Sequence, residues 1–573
     1  MENAGVAVNF IKLFLYMFLV MYGYSDTIQL YKGWNLIGSS DDINLSNNFQ
    51  KIKIAWSYDN SKKSWSFFSK DSDLKTALKE YKTINIIPKN SGCWILSEGN
   101  ATIKTFSKKL AVDTYRYVNL KNGWNLFGSS YAIDLPATFK NGADVVWSYD
   151  SLTKKWSSFS PIESIKSKIK DKYNFITSTK NNDAFWVYSK YDGQIVLRPI
   201  VNSNIITNIT NTTYKYRAIK IEYPIKIKDK IVTASSLLTI PLSDENLSIV
   251  CDNHGTFFDN SLAPTNREIN NTVYYKNAKI FSGDQGFIGI FPDYLGYGSS
   301  YKKVAHPYII ANIEAVSSKD AIEASLQYLK ENNITFNNSI FVTGYSEGGY
   351  NAMALAKYIQ DSNATSFKLK ATAPMAGPYD IEKMADTALK NDYTMPYPAI
   401  LGYIAFSYSH YYDVNLTKIL NESATSDKID SLYTNLNDSL MGITTNRTLL
   451  NISNLLDLGV DNHKSQELFN YNFLSDYENG VNNSEALKLK NAFKENNLYN
   501  WTPKMAINLI QCSDDDIIPF SMSKEAYETL QDNGASVILS PLTSTVDLLH
   551  PSHHLNCESK AYQEAISWFK DMQ

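Results

Sequence analysis

Two patterns of apolar and polar positions meet near residue 216. Before it, apolar residues alternate in short runs, such as Lys53–Tyr58 and Ala184–Tyr188, bounded by Asn, Gly, Ser and Lys. A period of two between turn formers predicts short, half-buried strands. After it, compact apolar runs predict strands over Leu247–Cys251, Phe287–Phe291, Ile340–Thr343, Ala371–Pro374, Met505–Gln511 and Val537–Leu542. Helical stretches at Ser318–Glu331, Glu347–Gln360 and Glu558–Lys570 lie between them. Such alternation predicts an α/β domain with a mostly parallel sheet covered on both faces. Segment 379–504 breaks the rhythm. It is rich in Tyr and Leu and helical in pattern, as suits a cap inserted over an active site.

The first part repeats. Gly33-Trp34-Asn35-Leu36-Ile37-Gly38-Ser39-Ser40 recurs as Gly123-Trp124-Asn125-Leu126-Phe127-Gly128-Ser129-Ser130, and Trp56-Ser57-Tyr58-Asp59 recurs as Trp147-Ser148-Tyr149-Asp150. Cys93-Trp94-Ile95 answers Phe185-Trp186-Val187, so two small β-rich units are expected at 26–110 and 111–200. They resemble the GWNLIG-type repeats of surface and secreted bacterial proteins. Their tryptophans are expected to form the cores of the modules, because Trp is usually buried. The alternative is an exposed platform for a cell-surface or carbohydrate ligand. Residues 201–215 read as a polar linker, and the α/β domain as 216–573.

Composition narrows the classes. With 573 residues the chain exceeds one hydrophobic core, and 44% hydrophobic with 20% charged residues describes globular protein. A formal charge of −3 offers no field for nucleic acid. Lys12 precedes the apolar run Leu13–Tyr22, and Gly23-Tyr24-Ser25 supplies small residues before a cut after Ser25. Residues 1–25 therefore read as a signal peptide of a secreted, periplasmic or cell-surface protein. Ten apolar residues are too few to span a bilayer, so no transmembrane span is expected in the mature chain. Cys93, Cys251, Cys512 and Cys557 lack metal-ligand spacing. They are expected as unpaired thiols, the alternative being a Cys512–Cys557 disulfide.

Gly344-Tyr345-Ser346-Glu347-Gly348-Gly349 carries the chemistry. The apolar strand Ile340–Thr343 runs into it and a helix with Ala352, Ala354 and Ala356 runs out. This strand–turn–helix context marks a nucleophile elbow with Ser346 as the nucleophile. A serine hydroxyl needs a base to take its proton and donors to stabilise an oxyanion. Asp514, Asp515 and Asp516 follow the strand at Met505–Gln511, at the strand end where a carboxylate can hold an imidazole. Three of seven histidines fall in His550-Pro551-Ser552-His553-His554, on a loop before the last helix. His554 is the expected base and His553 the alternative, with His550 structural. The first oxyanion donor is expected after strand Leu247–Cys251, in His254-Gly255-Thr256, where the Thr256 N–H would converge with that of Glu347. His254 is expected to brace this loop.

Taken with Pro292–Gly298 and His306-Pro307-Tyr308, these motifs resemble the secreted lipase and esterase branch of the α/β-hydrolases over residues 216–573. An Asp followed by three residues and Pro is the usual form of the acid in that fold, which selects Asp515. The resemblance implies carboxylic-ester hydrolysis through an acyl-enzyme, with no cofactor and no metal, on a small-molecule or lipid ester. It also implies that the 379–504 insertion acts as a cap. Pro292–Gly298 and His306–Tyr308 carry over as structural elements. Tyr393, Tyr397, Tyr403, Phe406, Tyr408, Tyr411 and Tyr412 would either select acyl chains or pack the cap's own helices. Two other readings remain: a serine peptidase or amidase on the same fold, and an inactive surface-binding protein.

Overall fold

The computed structural model describes residues 27–420 and 468–573, apart from residues 49, 108–109, 244, 258–259, 270–275, 338, 363–364, 391–397, 483 and 546–551. The expected signal peptide, His550, Tyr393 and Tyr397 lie outside the described residues. The chain divides into two units, one of residues 1–200 with 224–231, the other of 201–223 with 232–573.

In the first unit, β1 (Gly33–Gly38), β2 (Ile52–Asp59), β3 (Ser64–Phe68), β4 (Lys82–Thr83) and β5 (Gly92–Ser97) form a sheet in the order β1-β5-β2-β3-β4. A second sheet contains β6 (Gly123–Gly128), β7 (Val145–Asp150), β8 (Lys155–Phe159), β9 (Asn174–Phe175) and β10 (Ala184–Ser189). It follows the same path, β6-β10-β7-β8-β9. The Asn of each Gly-Trp-Asn is a buried clamp. Asn35 Nδ2 donates to the carbonyls of Tyr31 and Gly33, and Asn125 Nδ2 to those of Lys121 and Gly123. Gly38 and Gly128 meet backbone to backbone, so a Cβ on either would overlap the Cα of the other.

The tryptophans sit elsewhere than expected. The two cores are built from Ile, Leu, Val and Phe, such as Ile37, Phe68 and Ile95 in one and Phe127, Phe139 and Phe185 in the other. Trp34, Trp124 and Trp156 are 40%, 41% and 36% exposed, and the remaining five of this unit are half-buried. The reason is the two-residue period of a strand. In β5, Cys93 and Ile95 point into the core and Trp94 points away; in β10, Phe185 and Val187 enclose Trp186 in the same manner. The outward rings meet edge-on and tilted, with Trp65 and Trp186 at 5.7 Å and Trp94 and Trp156 at 5.8 Å.

In the second unit the sheet runs β11 (Asn202–Ile209), β12 (Tyr216–Ile227), β13 (Lys230–Pro241), β15 (Ile288–Pro292), β14 (Ile249–Asn253), β16 (Ile340–Tyr345), β17 (Leu369–Met375), β18 (Ala506–Cys512), β19 (Val537–Leu542). The pairings from β15 to β19 are parallel. β14, β15 and β16 are buried at every position, as strands covered on both faces must be. Residues 202–209, expected as linker, instead form edge strand β11, antiparallel to β12. Ile206 packs on the central core and Ile209 is buried, while Asn202, Ser203 and Asn204 face solvent, which is why the segment reads as polar.

Helix α1 (Ala311–Glu331) and α2 (Glu347–Ser362) pack on this sheet, as do α7 (Phe520–Asp532) and α8 (His553–Asp571). Between β17 and β18 lie the cap helices α3 (Ile381–Lys390), α4 (Pro398–Tyr411), α5 (Tyr471–Asn479) and α6 (Glu485–Glu495). No described helix is long and apolar enough to cross a membrane.

Gly128→Ala should destabilise the first unit by about 1–3 kcal/mol, the usual cost of overpacking. Thermal unfolding followed by tryptophan fluorescence reads this, since eight of the ten tryptophans lie between residues 34 and 186. Gly193→Ala, where nothing stands within 4 Å, should leave the transition in place.

Candidate active site

The turn after β16 is forced by close packing. Gly344 pairs with Asn253 across the parallel register, and α2 starts at Glu347. A Cβ on Gly348 would overlap the Asn253 carbonyl, and one on Gly344 would collide with the Gly348 carbonyl. Only glycine fits at both. Between them Ser346 adopts φ 61°, a left-handed conformation that a non-glycine residue holds at a cost of about 1–3 kcal/mol. Its N–H donates to Met375 O at 2.9 Å, and its carbonyl accepts from Tyr350 N at 3.0 Å to open α2.

The three consecutive aspartates each have a different partner. Asp515 Oδ2 stands 2.7 Å from His554 Nδ1, with both side chains buried. The other Asp515 oxygen accepts the N–H groups of Ile517 and Ile518, and Gln511 Nε2 donates to Oδ2 at 3.1 Å. Asp514 takes His553 Nδ1 at 2.8 Å in a half-exposed pair, and Asp516 accepts the His554 N–H and the Ser552 hydroxyl. Burial is the largest single effect and acts upward, but the hydrogen bonds from Ser544 and His553 together outweigh it and bring Asp514 down to about 2. His554 lies in the first turn of α8 and not on the preceding loop, because Ser552 caps that helix by accepting from Leu555 N. Tyr345, beside Ser346, donates its hydroxyl to the His554 carbonyl at 2.6 Å.

Chain 254–256 leaves β14 alongside the elbow, so a Cβ on Gly255 would lie 3.2 Å from Tyr345 O and 3.8 Å from Ser346 Cβ. The Thr256 hydroxyl is bonded to that of Tyr308 at 2.8 Å. His254 Nδ1 is 2.8 Å from Gly255 O, and its ring stacks on Phe257 and Tyr294, a bracing position. Ser346, Glu347, His554 and Thr256 all line one cavity of about 430 Å³.

The secretory lipase profile matches residues 280–572, just over half of the 573-residue chain. The chain belongs to that family. Membership supports ester hydrolysis as its chemistry and export as its route. No curated protein matches the chain. Among solved structures, a rice cell wall degrading esterase, LipA from Xanthomonas oryzae, is 22% identical with a TM-score of 0.53, covering 65% of this chain and 98% of that one. A Legionella pneumophila protein assigned as a hydrolase is 19% identical with a TM-score of 0.53, covering 65% of this chain and 97% of the other. Both share the fold of this lipase-family chain.

The cavity of this secretory-lipase domain is roofed by aliphatic side chains of the cap: Ile381, Met384 and Leu389 from α3, and Ile400, Leu401 and Ile404 from α4. The described cap aromatics of the expected set do not line it. Tyr403 bonds Tyr297, Tyr408 bonds Ile309 O and Tyr411 reaches Ala305 O, so they anchor α4 to the domain beneath. Lys276, Asn277 and Glu558 form a polar part of the wall. Behind it, burial pushes Asp252 up to about 7 against the hydrogen bonds it accepts from Asn277 and Tyr562.

Sequence reading passed over Gln511, Tyr345 and Glu314. Tyr345 sits inside the Ser346 motif yet meets His554 only through packing of distant segments, while Gln511 bonds Asp515 four residues on. Among the described residues, His306, Glu314 and Glu347 are the His, Cys, Asp or Glu side chains whose donor atoms gather closely enough for a metal, within 4.8 Å. His306 Nε2 lies 2.8 Å from Glu347 Oε1, a direct hydrogen-bond distance.

Cys512 and Cys557 are joined in a disulfide, against the expectation of free thiols, while Cys93 and Cys251 are free and buried. Packing of α8 across β18 brings the two together, and the bond ties the strand leading to Asp515 to the helix bearing His554. Replacing both with serine should cost about 2–4 kcal/mol. Urea denaturation under oxidising conditions measures it, and added reductant should give wild type the same loss.

Proposed function

We propose that the chain is an exported serine carboxylesterase or lipase in which Ser346 is the nucleophile, His554 the base and Asp515 the acid. The observation that carries this reading is the buried 2.7 Å contact of His554 with Asp515, opening on the same apolar cavity as the left-handed Ser346. Asp515 holds the imidazole with Nδ1–H toward it, leaving Nε2 for the serine proton. Ser346 Oγ attacks the ester carbonyl, His554 takes its proton, and the oxyanion is met by the N–H groups of Thr256 and Glu347. His554 then protonates the departing alcohol, and water repeats the sequence on the acyl-enzyme. The aliphatic roof from α3 and α4 supports an extended acyl chain as the group held there. The half-exposed His553–Asp514 pair is the weaker base, since water competes for its hydrogen bonds.

A fluorophosphonate probe should label Ser346, located by peptide mapping, and Ser346→Ala should abolish labelling. Asp515→Asn should lower kcat about 10⁴-fold through loss of the imidazole tautomer. If Asp514→Asn has the larger effect, His553 is the base instead. On p-nitrophenyl esters from acetate to palmitate, the rate should peak above acetate; a flat profile would count against an acyl-binding roof.

For the first unit we propose a role in surface or substrate association. Its support is a groove of about 560 Å³ walled by Tyr58, Trp65, Trp124, Trp147, Trp156, Tyr173 and Trp186. Aromatic faces of this kind receive the C–H surfaces of sugars. Trp124→Ala with Trp156→Ala should weaken co-sedimentation with insoluble polysaccharide and leave hydrolysis of soluble esters unchanged. Undiminished co-sedimentation would end the idea.

A further inference from the structure

Behind the elbow, three buried groups from three segments meet. Glu347 opens α2, Glu314 lies in the first turn of α1, and His306 comes from the loop after β15. His306 Nδ1 faces the Leu295 carbonyl at 2.8 Å; a carbonyl only accepts, so the ring must donate there. Its Nε2 then meets the Glu347 carboxyl at 2.8 Å, and one proton must lie in that bridge. Glu314 Oε1 accepts the Ile309 N–H at 2.7 Å, while Oε2 is buried with no hydrogen-bond partner.

Charge decides what Glu314 does. With one proton in the bridge, His306 and Glu347 together are neutral, so an ionised Glu314 would leave a bare negative charge in the interior. Groups facing Glu314 offer no cation to offset it. They are Glu347 and Tyr350 from α2, His306, Tyr294 and Tyr308 from the loop after β15, and Tyr408 from α4. We propose that Glu314 is a positioning residue of the ester-hydrolysing site, keeping a proton so that no net negative charge stands behind the Glu347 amide as the oxyanion forms. The inference rests on the serine-hydrolase reading above, since it acts through the oxyanion donor that reading assigns. Burial, and then the neighbouring Glu347, push the Glu314 carboxyl well above the ordinary range, which agrees with this geometry.

The consequence appears in kcat at high pH. As pH rises through the titration of Glu314, the proton leaves and the new charge opposes the anionic transition state. Wild-type kcat on a soluble short-chain ester should then fall about tenfold or more, with KM little changed. Glu314→Gln cannot ionise, so its kcat, normalised to neutral pH, should lack that fall. The bridge is neutral as a whole, but its carboxylate end is the part that raises Glu314; Glu347→Gln removes that end, so the fall should move to lower pH. The same alkaline profile in both variants would overturn the proposal, as would a stoichiometric divalent metal in the purified enzyme whose removal by chelator reproduces the loss. Should the Glu314 variant not fold, the direction of the Glu347→Gln shift decides. Fluorophosphonate labelling of wild-type Ser346 separates the two readings. Labelled Ser346 with unmoved profiles defeats this inference alone, while an unlabelled Ser346 defeats the nucleophile assignment and the inference with it.

Discussion

The near-contact of two backbones at the C-terminal ends of β14 and β16 sets the geometry of everything above it. Gly344 and Gly348 let the elbow press against the carbonyl of Asn253, and the Asn253 side chain secures the junction. Its amide donates to Thr343 O at 3.1 Å in β16, and its oxygen accepts from Ser318 of α1 at 2.8 Å. Asn253 is fully buried, so each of these bonds would be costly to leave unmade. With this junction closed, the chain leaving β14 can only run beside Ser346, which is how Gly255 and Thr256 come to line the same cavity. The strain at Ser346 is small against the burial of three consecutive parallel strands, so the sheet can hold it.

The other half of the site depends on that strand through Tyr345. Its hydroxyl reaches the carbonyl of His554, so the residue beside Ser346 also sets the height of the helix that carries His554. The disulfide and the Ser552 cap fix α8 from two further directions. Three adjacent aspartates are thereby sorted by geometry: one to a half-exposed histidine, one to the buried imidazole, one to the helix N-terminus. A one-residue slip of the loop would exchange all three partners.

How much of this was legible in the sequence depends on the reach of each signal. The turn at Ser346 was legible because its motif, strand and helix are contiguous and can be read within a dozen residues. The pairing of Asp515 with His554 needed a fold resemblance, since spacing alone left three carboxylates and two histidines open. The strand at 202–209 was not legible, because an edge strand with one wet face has the composition of a linker. The tryptophans of the first unit were misplaced for a related reason. Composition says that Trp is buried, but the alternation Cys93-Trp94-Ile95 assigns the interior to its neighbours. The cap aromatics were noticed without their direction, and only packing separates the face of α4 that anchors from the face that lines the cavity. The disulfide joins residues 45 apart, and Glu314 meets Glu347 from a different helix, so nothing local marks either.

Hydrogen-bond donors, more than the positions of the acids, decide what each carboxyl can do in this domain. Asp515 has four donors on its two oxygens, from Ile517, Ile518, Gln511 and His554, which is the environment an ion needs when removed from water. Asp252 is equally buried but receives one amide and one phenol, and burial pushes it up to about 7. Glu314 accepts the Ile309 N–H on one oxygen and has no hydrogen-bond partner on the other, and burial, with Glu347 beside it, pushes it well above the ordinary carboxyl range. Under the proposed mechanism negative charge builds on a substrate oxygen, and an extra buried anion would work against it, so withholding donors from the other acids is as useful as supplying them to Asp515.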